Sequence, residues 1–80
     1  DRELYLYKID VVGLKGERVD LIEIKPRADF SACGQICAYR ELWKRDIGGA
    51  SEVLALLVTD EIRHDMKYIC AGCYLIVVKV

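Results

Sequence analysis

The stretch Val19-Asp20-Leu21-Ile22-Glu23-Ile24-Lys25-Pro26 decides the fold. Its Val, Leu and Ile residues are typical of a β-strand over 19–24, and Pro26 ends that strand because proline has no N–H for the ladder. A second strand-like run, Leu4–Val12, precedes it, and the segment Gly13–Glu17 separates the two runs. Two strand-like runs around a short glycine-bearing segment predict a β-hairpin.

The predicted hairpin brings two carboxylates and an ammonium to one face. Glu23 and Lys25 share a face because side chains alternate across a strand. A two-residue turn at Lys15-Gly16 places Asp10 opposite Leu21, so that Asp10 and Glu23 become diagonal neighbours about 7–8 Å apart at Cα. Carboxylates at this range disfavour each other unless a cation lies between them, and Mg²⁺ suits such a pair. A nearby lysine can orient or polarise attacking water.

The same residues also admit a structural interpretation. In the predicted register Lys8 lies opposite Glu23, and Asp10, Glu23 and Lys25 would then belong to a ladder of exposed ion pairs, each worth under ~1 kcal/mol. Asp20 falls on the opposite face, where we expect it to be solvated or paired with a basic residue. The hairpin alone leaves both interpretations open.

A helix is predicted after the hairpin. Asp29 and Ser31 are candidate N-caps, because their side-chain oxygens can accept a hydrogen bond from the first helical turn. The helix is expected to run to about Asp46, and Gly48-Gly49 ends it.

Two further strands complete the predicted fold. Glu52–Thr59 is apolar throughout its middle, which predicts a strand buried on both faces, as in a parallel arrangement. Asp60–Lys67 is expected to be a short helix or an irregular crossover, and Tyr74–Val80 a final strand. A hairpin followed by a β-α-β crossover predicts an α/β fold with a mixed sheet in one domain, residues 1–80.

Composition restricts the class of protein. With 54% apolar and 31% charged residues among 80, the chain is not disordered. No apolar run of about 20 residues and no signal-peptide pattern occur, so we expect a cytoplasmic protein without a membrane span. The net charge of −1 counts against simple coating of nucleic acid, since duplex binders are usually basic. A thin core and apolar terminal strands are compatible with a homodimer or a larger complex.

The low content of amide side chains is typical of a hyperthermophile protein, and this bears on the state of the cysteines. The chain has no Asn and a single Gln, as is typical of hyperthermophile proteins. Intracellular proteins of such organisms can carry disulfides. Cys33 and Cys37 lie one helical turn apart, while Cys70 and Cys73 form a Cys-x-x-Cys pair. Buried thiols, a disulfide between the two segments, and a metal or cluster site all remain open.

The local sequence resembles the PD-(D/E)XK, or restriction-endonuclease-like, nuclease superfamily. Ile9–Gly13 carries the Asp and Val19–Pro26 the Glu-x-Lys of that pattern. Gln35-Ile36-Cys37-Ala38-Tyr39 is similar to the Gln-x-x-x-Tyr motif on the following helix of RecB-type nucleases. The resemblance covers roughly residues 8 to 43, about half the chain.

The resemblance implies a metal-dependent nuclease that hydrolyses DNA phosphodiester bonds, of a repair, recombination or defence type. Asp10, Glu23 and the main-chain carbonyl of Ile24 would hold Mg²⁺ or Mn²⁺. Lys25 would assist the attacking water.

On the helix, Gln35 and Tyr39 would position the phosphate, because residues four apart lie on one helix face. Cys33 and Cys37 should occupy another flank. Arg27, Arg40, Lys44 and Arg45 are the first candidates for phosphate contacts, or simply a solvated helix face.

The chain departs from the family pattern in two respects. It opens in strand sequence where the family core usually begins with a helix, and it has no additional upstream acid or histidine of the kind that some members carry. Residues upstream, a partner, or a degenerate site would each explain this. A non-catalytic module of the same fold, for nucleic-acid binding or complex assembly, is the alternative function. A redox or metal protein built on the cysteines is a third.

Overall fold

A computed structural model describes residues 9–80. Its four strands form one sheet in the order β1-β2-β3-β4, with β1 antiparallel to β2 and the other neighbours parallel. The strands are β1 (Val11–Lys15), β2 (Arg18–Ile24), β3 (Glu52–Thr59) and β4 (Ile76–Lys79). Helices α1 (Phe30–Asp46) and α2 (His64–Gly72) connect β2 to β3 and β3 to β4. The predicted order of elements and the mixed sheet are therefore confirmed.

The hairpin turn lies one residue later than predicted. Lys15 pairs with Arg18, so the turn is Gly16-Glu17. Gly16 has a φ of 60°, and glycine at the first central position is the preference of a type II′ hairpin turn. The predicted register was wrong by two positions, because Leu21 lies opposite Val12 and not opposite Asp10. An even shift preserves which side chains share a face.

Helix α1 has the predicted ends. Asp29 caps it, since its Oδ1 accepts a hydrogen bond from the N–H of Ala32 at 2.7 Å. At the other end the N–H of Gly48 donates to the Trp43 carbonyl at 3.1 Å, and Gly48 has a φ of 64°. A left-handed glycine that closes such a bond is a common helix stop.

Helix α2 begins and ends later in the chain than predicted. A short helix or crossover was predicted within residues 60–67, whereas α2 occupies His64–Gly72. The last strand, Ile76–Lys79, is therefore shorter than the predicted 74–80. The N–H of Leu75 donates to the Cys70 carbonyl at 2.9 Å as the chain leaves the helix. Within residues 9–80, no helix is long and apolar enough to cross a bilayer.

Both helices contribute to a core on one face of the sheet. Leu21 and Leu57 point to this face and are fully buried, as are Ile36 of α1 and Met66 of α2. These contacts join the sheet to both helices in a single apolar cluster.

The other face of the sheet is open among the described residues. Along β3, Ala55 and Leu57 are buried, whereas Leu54, Leu56 and Val58 between and beyond them are half-buried. The prediction that this strand is buried on both faces was therefore wrong for the described part of the chain. Within residues 9–80, the apolar run thus combines a half-buried apolar face with a core face.

We expect Leu57→Ala to lower the free energy of unfolding by about 2–5 kcal/mol, because it removes buried methyl groups and leaves a cavity. Leu57 is 0% exposed, whereas Leu14 is 75% exposed. Leu14→Ala is the matched control and should cost less than about 0.5 kcal/mol. Urea denaturation measures both, and equal losses would contradict the placement of the core.

Candidate active site

Asp10 and Glu23 face each other at the open end of the hairpin. Val11 pairs with Ile22, which places Asp10 across from Glu23 as a direct rather than a diagonal neighbour. The Oδ2 atom of Asp10 accepts a hydrogen bond from the main-chain N–H of Ile24 at 2.8 Å. This bond holds the exposed Asp10 carboxylate against β2. The predicted shared face is confirmed, at closer range than expected.

Glu23 is a buried acid in the row of side chains that builds the core. It is 9% exposed, and its Oε2 atom has no nitrogen or hydroxyl donor among the described residues. Burial raises the pKa of Glu23 from 4.5 to about 7, the adjacent Asp10 carboxyl adds to the rise, and the Lys25 charge opposes it. Near neutral pH the Glu23 carboxyl can therefore carry a proton.

Lys25 lies beside the two carboxylates. It is half-buried, and its N–H continues the sheet by donating to the Val58 carbonyl at 2.9 Å. Its Nζ is 4.0 Å from Oδ2 of Asp29, a long and partly exposed ion pair. Since its charge counteracts the rise in the Glu23 pKa, the ammonium acts on Glu23 electrostatically. Lys8, the partner in the alternative ion-pair ladder, lies outside the described residues.

Tyr39 of α1 lies near Glu23. It is buried, and its pKa is raised by burial and then by the negative charge of Glu23. Gln35 is exposed four residues earlier, on the same flank by helical spacing. Cys33 and Cys37 face the cysteines of α2, on a different flank as predicted. The role of Gln35 toward a phosphate remains a prediction.

Asp20 lies on the open face of the sheet. Its Oδ1 is 3.0 Å from Nε of Arg18, so the expected pairing with a basic residue is confirmed. A carboxylate of the same strand is thus available as a control that does not face Asp10 or Glu23.

The four basic residues proposed for phosphate contacts each have an acidic neighbour. The partners are Glu61 for Arg27, Glu41 for both Arg40 and Lys44, and Asp46 for Arg45. Surface ion pairs of this kind contribute little to the free energy of folding. The structure therefore favours the solvated helix face over a preformed basic strip.

Arg40 has a structural role that the sequence did not reveal. Its Nη2 and Nη1 donate to the carbonyls of Cys73 and Tyr74 at 2.9 and 3.1 Å. Arg40 thereby ties α1 to the end of α2 and is not available as a phosphate contact. Cys73 and Tyr74 lie 33 and 34 positions after Arg40, so no pattern of adjacent residues indicated this contact.

The donor set fits a hard divalent cation of the two-carboxylate type. The described residues hold no group of three or more His, Cys, Asp or Glu side chains that could bind a metal ion. A magnesium site needs no such group, because one or two carboxylates, waters and substrate phosphates complete it. The buried Oε2 of Glu23 has no donor, lies next to Asp10, and offers lone pairs to a cation once the carboxyl is ionised.

Among solved structures, the chain is similar to the crystal structure of a repair endonuclease from Pyrococcus abyssi, with a TM-score of 0.77 and 26% identity. The match covers 90% of this chain and 32% of that one, so this chain spans about a third of the endonuclease. No protein family and no curated protein matches the chain. The chain therefore has the fold of a nuclease-like core, which agrees with the predicted restriction-endonuclease-like fold class.

The raised pKa of Glu23 predicts that the metal-free protein loses stability as pH rises. The folded state keeps the proton up to about pH 7, whereas the unfolded chain releases it near 4.5. We expect this group to lower the free energy of unfolding by about 3–4 kcal/mol across that window, at ~1.4 kcal/mol per pKa unit.

Urea denaturation in a chelator at a series of pH values measures this loss. Glu23→Gln should remove most of the decline, and Asp20→Asn should leave it unchanged. An identical pH dependence in wild type and Glu23→Gln would contradict the burial of the acid.

Proposed function

We propose that this chain is a Mg²⁺- or Mn²⁺-dependent nuclease that hydrolyses DNA phosphodiester bonds. The observation that supports it best is the convergence of Asp10, Glu23 and Lys25 at the end of the β1–β2 hairpin, in a fold similar to that of a repair endonuclease. DNA is the expected substrate because that neighbour is described as a repair enzyme.

Asp10, Glu23 and the carbonyl of Ile24 would hold the cation. When bound, the cation supplies Lewis-acid activation of water and stabilises charge on the phosphate. The hydrogen bond from Ile24 N–H to Asp10 orients one carboxylate before any ligand arrives. Pre-organisation of this kind lowers the reorganisation needed for catalysis.

Lys25 and Tyr39 would act as donors. The Lys25 ammonium has no acceptor capacity, so it can only donate, to the attacking water or to a phosphate oxygen. The Tyr39 hydroxyl retains its proton because its pKa is raised, and it too can donate to a phosphate oxygen. Gln35, exposed one turn earlier, would contact the same phosphate or its neighbour.

A non-catalytic module of the same fold is the second candidate. The net charge of −1 favours it, as do the acidic partners of Arg27, Lys44 and Arg45, because both weaken attraction to nucleic acid. Such a module would keep the fold and bind a partner without cleaving DNA.

Glu23→Ala should abolish Mn²⁺-dependent cleavage and leave folding nearly intact, because it removes one of two anionic ligands and also relieves carboxyl repulsion. A panel of labelled single-stranded, duplex and branched DNA measures cleavage, and calorimetry measures Mn²⁺ binding. Asp20→Ala, on the open face, should retain both. A wild-type protein that neither binds Mn²⁺ nor cleaves any substrate would support the non-catalytic module.

Lys25→Ala should separate binding from catalysis. An ammonium cannot ligate a cation, so Mn²⁺ binding should survive while the cleavage rate falls roughly 10²–10³-fold, as for loss of a transition-state donor. Single-turnover cleavage and calorimetry on the same preparation test this. Loss of Mn²⁺ binding in Lys25→Ala would show that the lysine supports the fold of the site and not the reaction.

A further inference from the structure

The four cysteines form two pairs across the seam between α1 and α2. The Sγ atoms of Cys33 and Cys70 are 2.9 Å apart, and the two residues are 7% and 1% exposed. Three or four residues further along the chain, Cys37 is half-buried and Cys73, just beyond the end of α2, is exposed; Cys73 adds to the rise in the pKa of Cys37. We call Cys33 and Cys70 the inner pair, and Cys37 and Cys73 the outer pair.

We propose that the inner pair forms a disulfide that cross-links α1 to α2. Two sulfur atoms at 2.9 Å, on helices already packed together, need only a small movement to form a bond. The residues are 37 positions apart, so the bond closes a long loop that contains the rest of α1, all of β3 and most of α2. This inference is independent of the nuclease function.

The chemistry of the seam favours a disulfide over a metal site. Burial, followed by the contact with Cys70, raises the pKa of Cys33 to about 12, so this thiol must lose its proton before either metal ligation or disulfide exchange. Burial also raises the pKa of Cys37. The described residues hold no cluster of three or more such ligands arranged for a metal. A thiol of high pKa is also a poor leaving group, so a bond once formed resists reduction.

Formation of the bond is a thiol–disulfide exchange with a small-molecule disulfide, RSSR, as the oxidant. The Sγ of one inner cysteine displaces RSH to give a mixed disulfide, and the Sγ of the other displaces a second RSH. Both cysteine protons leave on the two RSH molecules, and the two electrons reduce RSSR. The absence of Asn and the single Gln in the sequence suit a hyperthermophile protein, the class in which intracellular disulfides persist.

The test needs variants, because trypsin leaves Cys33 and Cys37 together in peptide 28–40, and Cys70 and Cys73 together in peptide 68–79. The double variant Cys37→Ser/Cys73→Ser keeps only the inner pair. The double variant Cys37→Ser/Cys70→Ser is its matched control, with one cysteine in each peptide but no facing partner. Each protein is refolded with oxidised glutathione, denatured, alkylated without reduction and digested.

In the inner-pair variant we expect no free thiol, a cross-link between the two peptides, and a melting temperature that falls by roughly 10–20 °C on reduction. The control should show no cross-link and no such shift, because its two cysteines stay free or each carries a glutathione. An inner-pair variant without the cross-link between the two peptides would overturn the proposal, whatever its melting temperature. Wild-type protein purified with one zinc ion per chain and four thiols protected from alkylation would overturn it in favour of a metal site.

Discussion

The structure depends on the register of the β1–β2 hairpin. Gly16 supplies the positive φ that the turn requires, and the turn fixes which residues of the two strands face each other. A slip of one residue would turn every β1 side chain to the opposite face of the sheet, while β2 keeps its face through its pairing with β3. Asp10 would then lose both its carboxyl neighbour and the N–H of Ile24. The candidate site therefore rests on this backbone constraint.

Glu23 occupies a position at which the fold alone would favour an apolar residue. It follows Val19 and Leu21 on the helix-facing side of β2, and its neighbour on β3 is the fully buried Leu57. A buried acid beside a second carboxyl lowers stability at neutral pH, and the raised pKa expresses that cost. Local conflict between sequence and fold of this kind is typical of functional sites. A cation between the two carboxyls would relieve the conflict, which is why the same two residues fit the proposed metal site.

Patterns of adjacent residues predicted the strands and the ends of helix α1, whereas most of the features that were missed depend on contacts between residues far apart in the sequence. The strand pattern of Val19–Ile24, the Asp29 cap and the Gly48-Gly49 stop were each readable from a few adjacent residues. The turn was misplaced by one position because Gly16 suits either central position of a two-residue turn. The two cysteine pairs were not predicted as pairs, and the contact of Arg40 with the end of α2 not at all, because these depend on how helices far apart in sequence pack. The open face of β3 was missed because an apolar run does not reveal whether anything covers it.

Different flanks of helix α1 contact the candidate site and the cysteine pairs. A step of two residues turns a helix by about 200°, so the flank with Tyr39 lies away from the flank with Cys33 and Cys37. The first flank meets Glu23, and the second meets α2 through the cysteine pairs and, near the end of α2, through Arg40. The packing of α1 on β2 and β3, together with these contacts with α2, fixes the rotation of α1 about its own axis. The placement of Tyr39 near Glu23 therefore depends in part on contacts on the far side of the helix, at atoms that do not touch Glu23.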